Sequence, residues 1–272
     1  MLFDTFKPHK ALGTFIRYYW RIQAPKLPSP ASAQKFLAEG IELTFNLADS
    51  VEITRTDAEG KRVDRIAITG PMTKPMKLRA NGCVNVMGVC FRPGGSYAFF
   101  PYPAHEMANC LSDAQEVWGA KGREFEQWFF ETCSDSGQRI DFLNRFFLQR
   151  LNGNGAPDPC VAEAILAIES CKGMVSVDYL AKKTGISSRH LERKFKERVG
   201  LSPKQLCRSL RFKHMVSSRV RNPGGPWVAA ALDCGYYDQA HMINDFKHYT
   251  GVRPSDFFNH PMLLEPFFTA NF

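Results

Sequence analysis

Residues 195–203 read FKERVGLSP, and residues 246–254 read FKHYTGVRP. Phe, Lys, Gly and Pro recur 51 residues apart. Upstream lies a second matched pair, Ala181-Lys-Lys-Thr-Gly185 and Ala231-Leu-Asp-Cys-Gly235, offset by 50, so the second copy gains one residue in its turn. Each copy reads as helix, tight turn, helix. A duplicated unit of this kind inside a basic region points to a DNA reader that uses both copies.

In the first unit, Leu180, Ala181, Ile186, Leu191 and Phe195 form the apolar face. Gly185 supplies a backbone conformation that a Cβ resists. Ser188, Arg189, Glu192, Arg193 and Lys196 are left on the outer side of the second helix, where a recognition helix meets base edges. Arg189 suits guanine O6 and N7, and Glu192 suits cytosine N4. Arg193 and Lys196 suit phosphates, and Arg208, Arg211 and Lys213 on the next helix are further phosphate candidates. The second unit has Ala230, Ala231, Tyr236, Met242 and Phe246 at its core positions. Its reading face holds Gln239, Ala240, Ile243 and Asn244, suited to adenine and thymine methyl groups, and Lys247 completes the DNA-binding set.

Charge follows the same division. The whole chain of 272 residues carries a net +8. Residues 1–157 hold 19 Lys/Arg against 16 Asp/Glu, whereas residues 172–221 hold 14 against 3, a net of +11. Such a concentrated excess favours a polyanion by counterion release and steering. Residues 222–256 hold two basic against four acidic residues, so the second unit contributes sequence preference more than charge.

Residues 1–100 read as short strands, among them 42–47, 51–55, 65–69 and 84–91, punctuated by Gly or Asn-Gly, as in a sandwich or small barrel. Segments 111–119, 120–132 and 136–151 read as helices, with apolar residues three and four apart. FEQWFF and FLNRFF within 121–151 carry enough aromatics for a core layer or a dimer face. NGNGAPDP (152–159) reads as a linker that ends in an N-cap and first-turn proline. Seven helices are expected near 159–171, 177–184, 188–198, 203–221, 227–233, 238–248 and 254–260. The resulting division is 1–110 for a sensor or dimerisation domain, 111–151 for a helical linker or dimerisation segment, 158–260 for the DNA-binding domain and 261–272 for a tail that packs back. The fold class is α+β multidomain, a β-barrel or sandwich with following helices and then an all-α domain with two helix-turn-helix units.

The C-terminal hundred residues resemble the DNA-binding domain of the AraC/XylS family of bacterial transcription regulators. The two FK-x3-G-x-[SR]-P phrases carry the resemblance, with Leu180-Ala181, Gly185-Ile186-Ser187, Ala231-x3-Gly235-Tyr236, and the connecting stretch LCRSLRFKHMVSSRV. The resemblance implies that both recognition helices enter successive major-groove segments. It places the base contacts at Arg189, Glu192 and Arg193, and at Gln239, Ala240, Ile243 and Asn244. One departure is Asn244, where the family usually has arginine. Residues 36–119 resemble the cupin-like sensor half of uncharacterised family members through Phe36–Gly40, Glu42–Asn46, Gly70-Pro71, Val89–Gly95 and Ala98-Phe-Phe. The implied roles are effector binding, dimerisation or both. Glu39, Glu42, Phe45, Phe91 and Arg92 are the candidate ligand-pocket residues, with core or rim positions as their alternative.

Other classes find little support. His9 and His105 are the only histidines of the N-terminal half and lie far apart, so no metal is expected. The eight cysteines form no CxxC pair and read as reduced thiols of a cytoplasmic protein. No phosphate loop, nucleophile elbow or catalytic triad spacing occurs, and no cofactor is implied. No stretch reaches the roughly 20 apolar residues of a membrane span. The expectation is a cytoplasmic, non-enzymatic regulator. Its partners are double-stranded DNA, a small-molecule effector, a second copy, and RNA polymerase if it activates. The alternatives are an effector-independent regulator whose barrel only dimerises, and an enzyme or DNA-repair protein with a fused regulator domain.

Overall fold

The computed structural model describes residues 2–25, 31–35, 39–49, 51–55, 61–63, 65–73, 76–80, 82–151 and 157–259. The N-terminal half holds strands Leu2–Phe6 (β1), Ile16–Ala24 (β2), Ala31–Lys35 (β3), Glu42–Asn46 (β4), Val51–Arg55 (β5), Lys61–Val63 (β6), Ile66–Thr69 (β7), Met76–Ala80 (β8), Val84–Phe91 (β9) and Leu111–Ser112 (β10). They form two antiparallel sheets, ordered β1-β2-β9-β4-β7-β10 and β3-β8-β5-β6. Among the described residues, β1 and β10 remain the two edges of the larger sheet, so it does not close into one ladder.

β9 lies inside the larger sheet because it can be apolar on both faces, and it pairs with β2 and β4. Gly88 stands opposite Trp20 in that register. A Cβ there would come within 2.3 Å of the indole, so the absence of a side chain lets the ring lie across the strand. The β2–β9 register slips between Ile16 and Tyr18, leaving Arg17 as the extra residue. Such a bulge re-aims a side chain out of the sheet's alternation.

Three helices follow: Ala114–Trp118 (α1), Ala120–Glu131 (α2) and Ser136–Leu151 (α3). The expected helix from 111 is corrected at its start, since 111–112 pair with β7 instead. Asp113 sets the new boundary through a capping box: its carboxylate accepts from Glu116 N at 2.7 Å, and Glu116 accepts from Asp113 N at 2.9 Å. The aromatic stretches of α2 and α3 face the sheet. Phe45 stacks on Phe129 at 3.9 Å, Phe91 meets Phe147 edge-on at 5.4 Å, and all four are fully buried with Leu43 and Val89. These rings form the core of the N-terminal half, which accounts for most of the aromatic excess that a dimer face would otherwise require.

The remaining helices are Pro159–Ser170 (α4), Val177–Thr184 (α5), Ser188–Val199 (α6), Pro203–Arg221 (α7), Trp227–Asp233 (α8), Gln239–Thr250 (α9) and Pro254–Asn259 (α10). Each lies within two residues of its expected bounds. Two small cores result. Ile168, Leu180, Leu191, Phe195 and Leu206 form one, and Phe212, Met215, Ala231, Met242 and Phe246 form the other. α7 contributes to both, so it ties the two units together. The greater part of the linker 152–159, residues 36–38 of the Phe36–Gly40 stretch and the tail 261–272 lie outside the described residues.

Candidate nucleic-acid interface

Each unit is assembled by local rules that its sequence states twice. In the first, Ser176 caps α5, with its Oγ accepting from Tyr179 N at 3.1 Å. Gly185 ends α5 at φ 69°, in the left-handed region open to glycine. Ile186 N then donates back to Ala181 O at 3.2 Å. Ser187 caps α6 by accepting from His190 N. In the second, Gly235 has φ 73°, Tyr236 N donates to Ala231 O at 3.0 Å, and Asp238 accepts from His241 N at 2.7 Å to start α9. Gly200 and Gly251 close α6 and α9 in the same left-handed conformation.

With caps and cores matched, the outer faces can be compared. Leu191, Phe195 and Val199 are buried on α6, and Met242, Phe246 and Thr250 on α9. Arg189, Glu192, Arg193 and Lys196 are exposed together, with Ser188 half-buried and donating to Asp178 at 3.3 Å. On α9, Ala240, Asn244 and Lys247 are exposed, while Gln239 and Ile243 are half-buried. The corresponding positions of the two helices therefore present a charged face and a largely neutral one.

Neighbouring charges are neutralised inside the protein. Lys194 pairs with Asp158, the N-cap of α4. At the equivalent place in the second unit the polarity is reversed: Asp245, 2% exposed, accepts from Arg208 Nε at 2.8 Å. Burial would push the Asp158 carboxyl up, but the hydrogen bond from Lys194, the N-cap amides and the Lys194 charge hold it below its ordinary value of 3.8.

On the connecting helix the three further phosphate candidates have partners within the protein. Arg208 is held by Asp245, Arg211 donates to Gly173 O at 3.2 Å, and Lys213 lies 2.9 Å from Glu39 with its side chain 14% exposed. Each of the three has a partner within the protein, with the Arg208 side chain still 40% exposed, because one side of α7 packs on both small cores and on the N-terminal half. Two exposed side chains beside the second reading face carried no sequence signal of their own: His241, and Tyr237 at 88% exposure. Their exposure beside the reading face is set by the packing of α9 on its core, which the sequence pattern does not show.

The ligand-pocket candidates are not brought together. Phe45 and Phe91 are in the aromatic core, Glu42 is buried within β4, and Glu39 is part of an ion-pair network. Arg92 Nε donates to Gly13 O at 2.8 Å. Its side chain lines a cavity of about 330 Å³ between the two halves, with Phe15, Ala98, Val161, Ile165 and Arg198. Among the described residues no group of three His, Cys, Asp or Glu side chains gathers as a metal site. No described helix is long and apolar enough to cross a membrane.

Comparison with known proteins parallels this geometry. A helix-turn-helix domain family matches residues 180–260, and a domain of unknown function, DUF6597, matches residues 4–113. The structure of ToxT from Vibrio cholerae superposes with a TM-score of 0.50 at 12% identity, covering 95% of this chain and 98% of that one. The chain is similar in fold to ToxT. The likeness runs through both halves, the β domain and the helical one. Two regulators align over 36% of this chain: an AraC-type DNA-binding protein from Chromobacterium violaceum at 25% identity, TM-score 0.33 and 88% of its length, and a probable AraC family regulator from Rhodopseudomonas palustris at 27%, 0.32 and 94%. No curated protein matches the chain.

Proposed function

We propose that this chain is a sequence-specific DNA-binding transcription regulator of the AraC/XylS type. The observation that carries the reading is the pair of helices α6 and α9. They have equivalent caps and cores, both touch α7, and their outer faces are polar and exposed. The matched helix-turn-helix domain over 180–260 supports it.

The division of labour follows from the side chains. Arg189 reads guanine by a bidentate contact, and Glu192 accepts from cytosine N4. Arg193 and Lys196 contact phosphates, as does Lys247 in the second unit. Gln239 and Asn244 pair with adenine, and Ala240 and Ile243 lie against thymine methyl groups. The first unit supplies most of the affinity through charge, and the second adds sequence preference. The cupin-like N-terminal half senses a small effector or pairs two copies, and an activating form would also touch RNA polymerase.

One observation favours an effector-independent variant of this reading. Phe45 and Phe91, two of the ligand-pocket candidates, are fully buried as core against Phe129 and Phe147 of the following helices. A thermal-shift screen of small molecules separates the two: a specific rise in melting temperature supports a sensor, and its absence across the screen supports a domain that only pairs copies. The regulator reading itself is tested by binding to the chain's own upstream DNA and to a scrambled duplex across a salt series. Preference for the upstream DNA is expected, and loss of all discrimination contradicts it.

A further inference from the structure

Glu39 is a buried acid, with a side chain 3% exposed, and its partners span both halves of the molecule. Lys213 Nζ approaches its Oε1 at 2.9 Å and Ser209 Oγ donates to the same oxygen at 3.2 Å. Both lie on α7, one helical turn apart on one face. Arg17 Nη1 lies 3.9 Å from the other carboxylate oxygen, and Arg17 Nη2 donates to Glu169 on α4 at 2.7 Å. Arg17 is the bulged residue of β2, the one position where that strand's alternation is broken. Two acids and two bases thus form a neutral network that stitches the β domain to α4 and α7. Burial alone would raise the Glu39 carboxyl, but Lys213, Arg17 and the hydrogen bonds from Lys213 and Ser209 outweigh it and hold it below the usual carboxylate range.

The place of this network on α7 matters. Ser209 and Lys213 fall between Cys207, in the first unit's core, and Met215, in the second's. A grip at that point fixes both units on the β domain. In the same arrangement the first recognition helix is partly covered. Arg198 lies 3.5 Å over the Tyr97 ring, and Tyr97 Oη donates to Glu197 at 3.4 Å. A Cβ on Gly200 would come within 2.6 Å of Ala104 O. Pro103 and His105 line one groove with Arg189, Glu192, Arg193 and Lys196. A helix with its side chains is about 10–12 Å wide and fills a major groove about 12 Å across, leaving no room for a second segment alongside.

The geometry points to Glu39 as an interdomain clamp that holds the DNA-binding helices against the β domain in a closed arrangement, from which they are released to bind DNA. The inference rests on the regulator reading for its effect on DNA, but not for the clamp itself. Release would also free Lys213, which the sequence marks as a phosphate candidate.

The test uses the full chain. Glu39→Gln removes the clamp's charge, and Glu124→Gln, an exposed acid on α2, controls for the added net charge. Small-angle scattering reads domain separation without DNA, and fluorescence anisotropy reads affinity for a selected duplex. Glu39→Gln is expected to enlarge the radius of gyration and to tighten DNA binding at least ~5-fold relative to Glu124→Gln, the lower end of ordinary coupling between sites. Unchanged dimensions together with equal affinity overturn the clamp. If Glu39→Gln does not fold because Lys213 is left buried and unpaired, Glu39→Met/Lys213→Met removes both charges and is read by the same scattering criterion. Should no protein discriminate between DNA sequences, the regulator reading fails while scattering still decides the clamp.

Discussion

At the residue scale, the reading face makes separable predictions. Arg189→Ala should cost roughly 1–3 kcal/mol at a single base position if its contact is bidentate, measured as the loss of discrimination between duplexes that differ at that base. An equal loss on every duplex would move Arg189 to the phosphate class. Lys196→Ala should instead weaken all duplexes alike and reduce the salt slope by about one unit. A change confined to one sequence would contradict that assignment. The thiols divide as sharply. Burial pushes Cys207 and Cys234 up to about 11, whereas Cys83 is exposed. Alkylation of the native protein near neutral pH, read by mass spectrometry, should label Cys83 first and leave Cys207 and Cys234 untouched. Early labelling of either buried thiol would show that its helical core opens readily.

At the scale of elements, the turn glycines are not equivalent. Gly185→Ala meets nothing within 4 Å, so its cost should be only that of a left-handed alanine, roughly 1–2 kcal/mol by chemical denaturation. Gly200→Ala carries the same strain and also forces a Cβ onto the Ala104 carbonyl, so it should cost more and loosen the contact between the halves. Equal costs would place Gly200 away from that contact. The helical elements were legible in the sequence because their signals are local. Ser187, Asp238, Gly185 and Gly235 mark starts and stops, and a buried position every third or fourth residue does the rest. The strands were less so. β2 and β9 pair residues 60 to 75 positions apart, from Ala24–Val84 to Ile16–Phe91, and nothing near Ile16 announces its partner. The start of α1 was misplaced for a related reason, since Leu111 and Ser112 join β7 only through a tertiary contact. Arg208, Arg211 and Lys213 look like a basic helical face in sequence. Only the fold reveals that Asp245, the Gly173 carbonyl and Glu39 await them.

At the scale of the whole molecule, acidity should act on the seams. The Asp158 and Glu39 carboxyls lie below their ordinary 3.8 and 4.5, so their contribution to stability is complete above those values and is lost as pH falls through the depressed ones. The melting temperature should therefore gain nothing from these groups above about pH 5, and acidification below the ordinary carboxylate range should separate the halves before the aromatic core melts. Simultaneous loss of scattering compactness and core circular dichroism would contradict that order. The proposed regulator uses its two units together on DNA. The most direct measurement is selection of bound duplexes from a randomised pool by the full chain, followed by sequencing. Two conserved blocks spaced by about one helical turn, 10–10.5 base pairs, are predicted, with α6 reading one and α9 the other. A pool that stays random after selection, with binding that falls equally with salt for every sequence, would contradict it.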